Sequence, residues 1–251
     1  NATRVGTEHP ILLKAIEDGH FTHTDRHLPG MSPISKTMGY LNGGHVFGLN
    51  ALRCKSLSEG MMLGRKIAQE YFSFFKKYVP GFENMEHATT ASVMGVRESR
   101  RIVGEYELDF DDYLSKREFP DQIGIFNKAV DIHAYDDSLE EFNRYKKAYQ
   151  DTGRLKPGEQ FGIPYSILVP KGWSNLWVAG RCSSSDVRVH GSIRVQPAAC
   201  MMGQAAGTAA VQSIQTGQPG NDLNTSQLIT TLRKWNANLP QATLSKEMTR
   251  A

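Results

Sequence analysis

The stretch from Leu176 to Thr216, LWVAGRCSSSDVRVHGSIRVQPAACMMGQAAGTAAVQSIQT, constrains the fold more than any other part of the chain. Its opening run, Leu176 to Gly180, is short and apolar, with the length and flanks of a buried strand. Its closing run, Pro197 to Gln215, has the composition of a tightly packed helix. Gly203, Ala205, Ala206, Gly207, Ala209 and Ala210 leave little side-chain bulk, so that helix can approach a neighbouring element or a flat ligand closely. Between the two runs lies a polar loop carrying Arg181, Cys182, Asp186, Arg188, His190, Gly191, Ser192 and Arg194. Strand, loop and helix units of this kind gather ligands at the carboxyl end of the strand. Pro197 suits the first helical turn, where its missing N–H would have no partner anyway. The next amides, Ala198, Ala199 and Cys200, are expected to point outward and to attract anionic oxygens or polarised carbonyls. The alternative is a helix that only packs against a sheet.

Composition narrows the function classes. The 251 residues suffice for one large domain or two modest ones, and 39% hydrophobic content can build a core. A net charge of +3, from 29 basic and 26 acidic residues, is too small and scattered for a nucleic-acid surface. The three cysteines, Cys54, Cys182 and Cys200, lack the spacing of a disulfide framework or zinc site, so a reducing, cytoplasmic setting is expected. No apolar run approaches the roughly 18 residues of a membrane span.

Along the chain, Pro10 to Asp18 reads as a short amphipathic helix stopped by Gly19. His23-x-Asp25-x-His27 follows in a loop bounded by Pro29 and Gly30; a metal could be drawn there, but surface polar groups are the preferred reading and no metal is expected. Met38 to Asn50 reads as a hairpin about Asn42-Gly43-Gly44, with His45 on its second strand looking into a pocket. Leu57 to Val79 is the clearest helix, with Ser56 or Ser58 as cap and Pro80-Gly81 as terminator. From Arg100 to Glu107 the pattern alternates as in a strand with one wetter face. Arg97, Arg100 and Arg101 stand at its mouth, where guanidinium groups grip carboxylates or phosphates; a solvated charge run is the alternative. Ala129 to His133 reads as a strand delivering Asp131 and His133, Ser138 to Tyr149 as a helix with Leu139, Phe142, Tyr145 and Tyr149 inward, and Ile163 to Val169 as a strand. Thr225 to Leu239 is a terminal helix with Leu228, Leu232 and Trp235 inward, and residues after Pro240 form a tail.

The string NLWVAGRC…HGSIRVQPAACMMGQAAGTAA resembles the carboxyl-terminal signature of the FAD-dependent oxidoreductase family, distantly similar to the flavoproteins of succinate dehydrogenase and fumarate reductase. The arginine string from Arg97 to Tyr106 and Asp131-Ile132-His133 look like the same family. The resemblance implies FAD as cofactor and hydride transfer with a small organic substrate. It implies that Gly180, Arg181, Cys182, Gly191, Ser192, Pro197, Ala198 and Ala199 contact the cofactor, the helix start facing the flavin C2 carbonyl. His190, Arg194 and His133 become the candidate catalytic residues, and Arg97, Arg100, Arg101 and His45 the candidate substrate contacts. The expected architecture is mixed α/β: a substrate or cap domain over 1–165, the closing part of a Rossmann-like FAD-binding domain over 166–240, and a tail over 241–251. No G-x-G-x-x-G turn leads into a helix, so the amino-terminal dinucleotide-binding half is expected to be absent from this chain. FAD should then bind weakly to the chain alone, with an amino-terminal FAD-binding chain or self-association completing the site. The alternative is a non-catalytic subunit that completes an FAD site on another polypeptide.

Overall fold

The computed structural model describes residues 5–150 and 154–240, without the side chains of Tyr149 and Gln150. The expected tail after Pro240, and the inward side chain of Tyr149, lie outside the described residues. In chain order the elements are α1 (Pro10–Glu17), β1 (Met31–Pro33), β2 (Gly39–Leu41), α2 (Cys54–Tyr78), α3 (Phe110–Ser115), β3 (Gln122–Phe126), α4 (Leu139–Tyr145), β4 (Phe161–Pro164), α5 (Val187–Ile193), α6 (Gln196–Thr216) and α7 (Thr225–Lys234). They form two compact units, Asn1–Val96 with His133–Ala148, and Arg97–Ile132 with Tyr149–Ala251. The chain thus passes from one unit to the other near 96/97, 132/133 and 148/149.

The first unit is mainly helical. α1 opens with Pro10 and with the His9 Nδ1 accepting from the Ile11 amide at 3.2 Å, and Gly19 ends it at φ +67°. α2 begins three residues before the expected Leu57, so neither Ser56 nor Ser58 caps it. Ser56 Oγ instead accepts from the Asn50 amide at 2.9 Å, which closes the turn ahead of the helix. The buried face of α2 carries Ile67, Tyr71, Phe74 and Phe75, packed with Leu12, Phe21, Leu28 and Val79. The hairpin lies earlier than expected: β1 and β2 pair antiparallel with Met31 opposite Leu41, and residues 45–49 form no strand. The reason sits at Gly44, whose φ is +82° and whose absent Cβ would stand 2.7 Å from Ile67 Cγ2; this glycine lets the backbone lie on α2 instead of turning a hairpin. α4 is capped by Ser138 Oγ, which accepts from the Glu141 amide. Phe142 and Tyr145 are buried as expected, but Leu139 is 49% exposed.

The second unit holds the antiparallel pair β3–β4 with α6 packed across it. That approach needs Gly124, because a Cβ there would stand 1.8 Å from Met201 Sδ. The core gathers Leu108, Tyr113, Ile123, Phe161, Ile163, Ile167, Val189, Ala198, Met202, Ala205, Leu228 and Leu232. Helices with small two-stranded sheets make a mixed α/β fold, and among the described residues both sheets are antiparallel.

Four expected strands in this unit are corrected. Leu176 to Gly180 is extended but pairs only through the Val178 amide to the Leu168 carbonyl at 2.8 Å, and Gly180, at φ +74°, turns it into a 3-10 turn over Gly180–Cys182. Arg100 to Glu107 makes no regular ladder, although its inward positions are Ile102, Gly104 and Tyr106 as the alternation predicts. Its amides at Ile102 and Glu105 donate to the carbonyls of Cys182 and Val169, and its bridge partner for Gly104 is Pro170, which has no N–H to continue a ladder. Ala129 to His133 is no strand; Arg194 donates to its Asp131 carbonyl, and Ser192 Oγ donates to the Lys128 carbonyl just ahead of it. Ile163 to Val169 is strand only to Pro164, then a 3-10 turn over Tyr165–Leu168. The segment read as a polar loop after Cys182 also contains helix α5, capped by Asp186. α7 ends at Lys234, which leaves Trp235 57% exposed and not inward as expected.

Candidate functional site

In the second unit the chemistry converges on α5 and the start of α6. Asp186 Oδ1 accepts from the Val189 amide at 2.7 Å, and its Oδ2 accepts from the Phe110 amide at 3.1 Å, so one carboxylate starts α5 and ties it to α3. Arg188 lies over the Phe110 ring and reaches Asp186 at 3.4 Å. α5 turns His190 inward, where it is 0% exposed and neither ring nitrogen meets a hydrogen-bond partner. Burial first, and then the charges of Arg101, Arg194 and Arg181, together lower its pKa to about 4. The Arg97 backbone opposes that shift without reaching hydrogen-bond geometry. His190 is therefore a neutral imidazole near pH 7: it can donate one hydrogen bond and accept another, but it is not a stored proton.

Arg194, the C-cap of α5, donates through Nη2 to the Asp131 carbonyl at 2.5 Å. Arg97 holds the Asp131 carboxylate at 2.5 Å, so two guanidinium groups meet on one aspartate from opposite functional groups. Burial, then the charge of Arg97, lowers the pKa of Arg194, while Asp131 raises it. The expected arginine cluster is thus divided. Arg97 joins Asp131, Arg101 stands near His190 and 3.7 Å from Glu98, and Arg100 is exposed.

The expected cofactor contacts divide as well. Ser192 Oγ is committed to the Lys128 carbonyl at 2.6 Å, a packing role. Gly191 lies against Asp131 and Ile132, and a Cβ there would come within 3.0 Å of Ile132 Cγ1. Arg181 and Cys182 are exposed on the 3-10 turn, and Gly180 sits with its Cβ direction 3.6 Å from Ala199. α6 starts after Val195 with no side-chain cap and with Pro197 in its first turn. The Ala199 amide is already bonded to the Val195 carbonyl at 3.0 Å, so the uncommitted amides of an α-helix start fall at Gln196 and Ala198, and of the expected amides only Ala198 is among them.

A sequence model of the FAD dependent oxidoreductase family matches residues 4–232. The chain belongs to this family. No curated protein and no solved structure matches it. The family implies FAD, and residues of this chain fit one part of that cofactor. His190 offers two buried, partnerless nitrogens, and the uncapped start of α6 lies on the same unit with Gly180 packed at Ala199. Such donors suit the carbonyl edge of a flavin ring.

His133 and His45, also singled out by sequence, belong to the first unit of this oxidoreductase. There they join a residue that sequence reading paired wrongly: His27, set against His23 in the sequence, meets His45 and His133 instead. Ring centroids stand 5.2 Å apart for His27 and His45, 4.6 Å for His27 and His133, and 4.6 Å for His45 and His133. His45 Nδ1 lies 2.7 Å from Asp25 Oδ2, and Asp25 Oδ1 accepts from the His27 amide at 2.9 Å. Asp25 is buried, which by itself raises its pKa, yet the hydrogen bond and charge of His45 and the His27 amide outweigh this and lower it. Sequence reading named Asp131 and Asp25 without finding their roles, because Asp131 acts on Arg97 and Asp25 on His45, 34 and 20 positions away.

Proposed function

We propose that this chain carries the ring-facing part of a flavin oxidoreductase site, with His190 and the start of α6 meeting the flavin ring and Arg194 beside it on the substrate side. The observation that carries the reading is the wholly buried His190 with both nitrogens unpartnered. A native protein rarely leaves such a group without a partner unless a ligand supplies one. When bound, FAD would supply hydride exchange with an organic substrate. The protein's own part is binding and orientation. Neutral His190 hydrogen-bonds a ring carbonyl, the Gln196 and Ala198 amides direct positive dipole toward the same edge, and Arg194, oriented by Asp131, holds an anionic or carbonyl group of the substrate. Arg97 neutralises Asp131 and so keeps that carboxylate from competing with the substrate for Arg194.

The proposed likeness to succinate dehydrogenase and fumarate reductase flavoproteins extends to the ring-facing helix only. The pyrophosphate and adenosine of FAD would be cradled by a preceding segment of the same protein, by another polypeptide or by a second copy, because no phosphate-binding glycine turn leads into a helix in these residues. Titration with FAD and with riboflavin, read by flavin fluorescence, tests both parts. Riboflavin and FAD should bind within about threefold of each other, since the adenylate half finds little to hold it, and His190→Leu should weaken both. FAD binding about a hundredfold tighter than riboflavin would place the whole cradle on this chain. No change in either flavin's fluorescence would overturn the ring-facing reading and favour a non-catalytic subunit.

A further inference from the structure

The first unit contains a group of side chains that the flavin reading does not use. We propose that His27, His45 and His133 form a binding site for one divalent transition-metal ion, zinc in the first place. Each offers a ring nitrogen, and the three atoms lie within 4.8 Å of one another. Imidazoles bound at about 2.0–2.1 Å to a tetrahedral ion stand roughly 3.3 Å apart, so small ring rotations bring this set onto a metal without moving the backbone. Three neutral imidazoles are a borderline-soft donor set that suits zinc, cobalt or nickel and not calcium or magnesium. A cavity of about 10 Å³ lies between them, lined also by Asp25, Asp136 and Tyr145, which is space for an ion-sized occupant.

The surroundings are those of a metal centre. Metal-bound histidines hand their second nitrogen to a carboxylate that fixes tautomer and orientation. Asp25 does this for His45: the 2.7 Å contact to Nδ1 places the proton there and leaves the Nε2 lone pair for the ion. The same carboxylate accepts from the His27 amide, so a single buried anion fixes two of the three ligands and offsets part of the ion's charge. His133 stacks on Tyr145 of α4 at 5.9 Å between centroids, with planes 8° apart, which restrains the third ring. The ligands come from three separate stretches, the segment after α1, the segment after β2 and the one before α4, so an ion would cross-link the unit. Three protein ligands leave a tetrahedral position for water or an exchangeable group, the arrangement of an open zinc site.

The probe is Zn²⁺ alone, with Co²⁺ as the spectroscopic reporter, added to purified chelator-treated protein. One zinc per chain should remain after dialysis, counted by mass spectrometry. Co²⁺ should give the strong visible bands of a four-coordinate site without the near-ultraviolet charge transfer of thiolate, which separates the histidines from the exposed Cys54, Cys182 and Cys200. His27→Ala, His45→Ala and His133→Ala should each remove retained zinc, Asp25→Asn should weaken it about 10- to 100-fold, and His87→Ala, at an exposed histidine, should leave it unchanged. Where an alanine variant fails to fold by circular dichroism, the wild-type Co²⁺ spectrum decides. Substoichiometric zinc in the wild-type protein, thiolate charge transfer, or zinc retained by all three histidine variants would overturn the proposal. Zinc retention is read without flavin, so its outcome is independent of the ring-facing reading.

Discussion

Histidine meets opposite surroundings in the two units. In the first, His45 is held by the buried carboxylate of Asp25 and stands beside two other imidazoles. In the second, His190 is wholly buried without a partner, and the charges felt at its ring are those of arginines. A carboxylate neighbour orients a ring and raises its basicity, which suits a ligand for a cation. Arginine neighbours and burial strip a ring of its proton, which suits a neutral hydrogen-bond partner for a carbonyl. The difference teaches that residue type alone assigns no role; the sign of the surrounding charge does.

The largest expected effect follows from His190. Its folded pKa, about 4, is below the ordinary 6.5, so the unfolded chain binds the proton first as pH falls. The stability this represents is fully present above about pH 6.5 and is lost progressively down to about pH 4, up to about 3 kcal/mol in all. Urea unfolding of the second unit, followed between those pH values, should show this slope, and His190→Gln should flatten it. An unchanged slope in the variant would break the contrast at its source.

Next in size is Arg194→Lys. In the flavin-loaded oxidoreductase, with its cradle supplied, the substitution should keep bound flavin but lower substrate-dependent flavin reduction about a hundredfold, or about 2.7 kcal/mol, because Lys keeps the charge and loses the planar fork. Stopped-flow absorbance reads this directly, and loss of flavin instead would move Arg194 to the cofactor side of the site.

A packing change sharpens the comparison by touching one unit alone. Gly124→Val inserts side-chain volume where Met201 already sits, so it should cost about 2 kcal/mol in the second unit, seen as a lowered urea midpoint. The helical signal that reports the first unit should remain.

The smallest effect belongs to Asp25. Its carboxyl pKa is lowered, so its stabilising contribution is present above the ordinary carboxylate range, near 3.8, and is lost only as pH falls through the lower folded value. Asp25 itself therefore loses nothing in the window in which His190 weakens the second unit; there the acid-sensitive group of the first unit is His23, whose pKa burial lowers. Asp25→Asn, which leaves a neutral acceptor for the His27 amide, should cost about 1 kcal/mol at pH 7 by thermal melting.

Local chemistry made part of this legible in the sequence. Helices α1, α6 and most of α2 follow from periodicity and from Pro10 and Pro197 in first turns, all of which act within four residues. The inward face of the segment from Ile102 to Tyr106 was legible for the same reason, since alternation depends only on an extended backbone. The family string over Leu176 to Ala210 pointed to flavin chemistry before any contact was known.

The tertiary structure decided the rest, because partners distant in sequence competed for the same backbone groups. Arg194 took the Asp131 carbonyl inside the expected strand from Ala129 to His133, and Ser192 took the Lys128 carbonyl ahead of it. Pro170 stood where a ladder donor was needed, and Gly44 lay down on α2 instead of turning a hairpin. His27, His45 and His133 are scattered over more than 100 positions, so their meeting depends on chain path and not on motif. A sequence determines which groups a chain can offer within a turn or two. Only the fold determines which of them share one small volume, and interaction energies fall off steeply enough with distance that the sharing sets their chemistry.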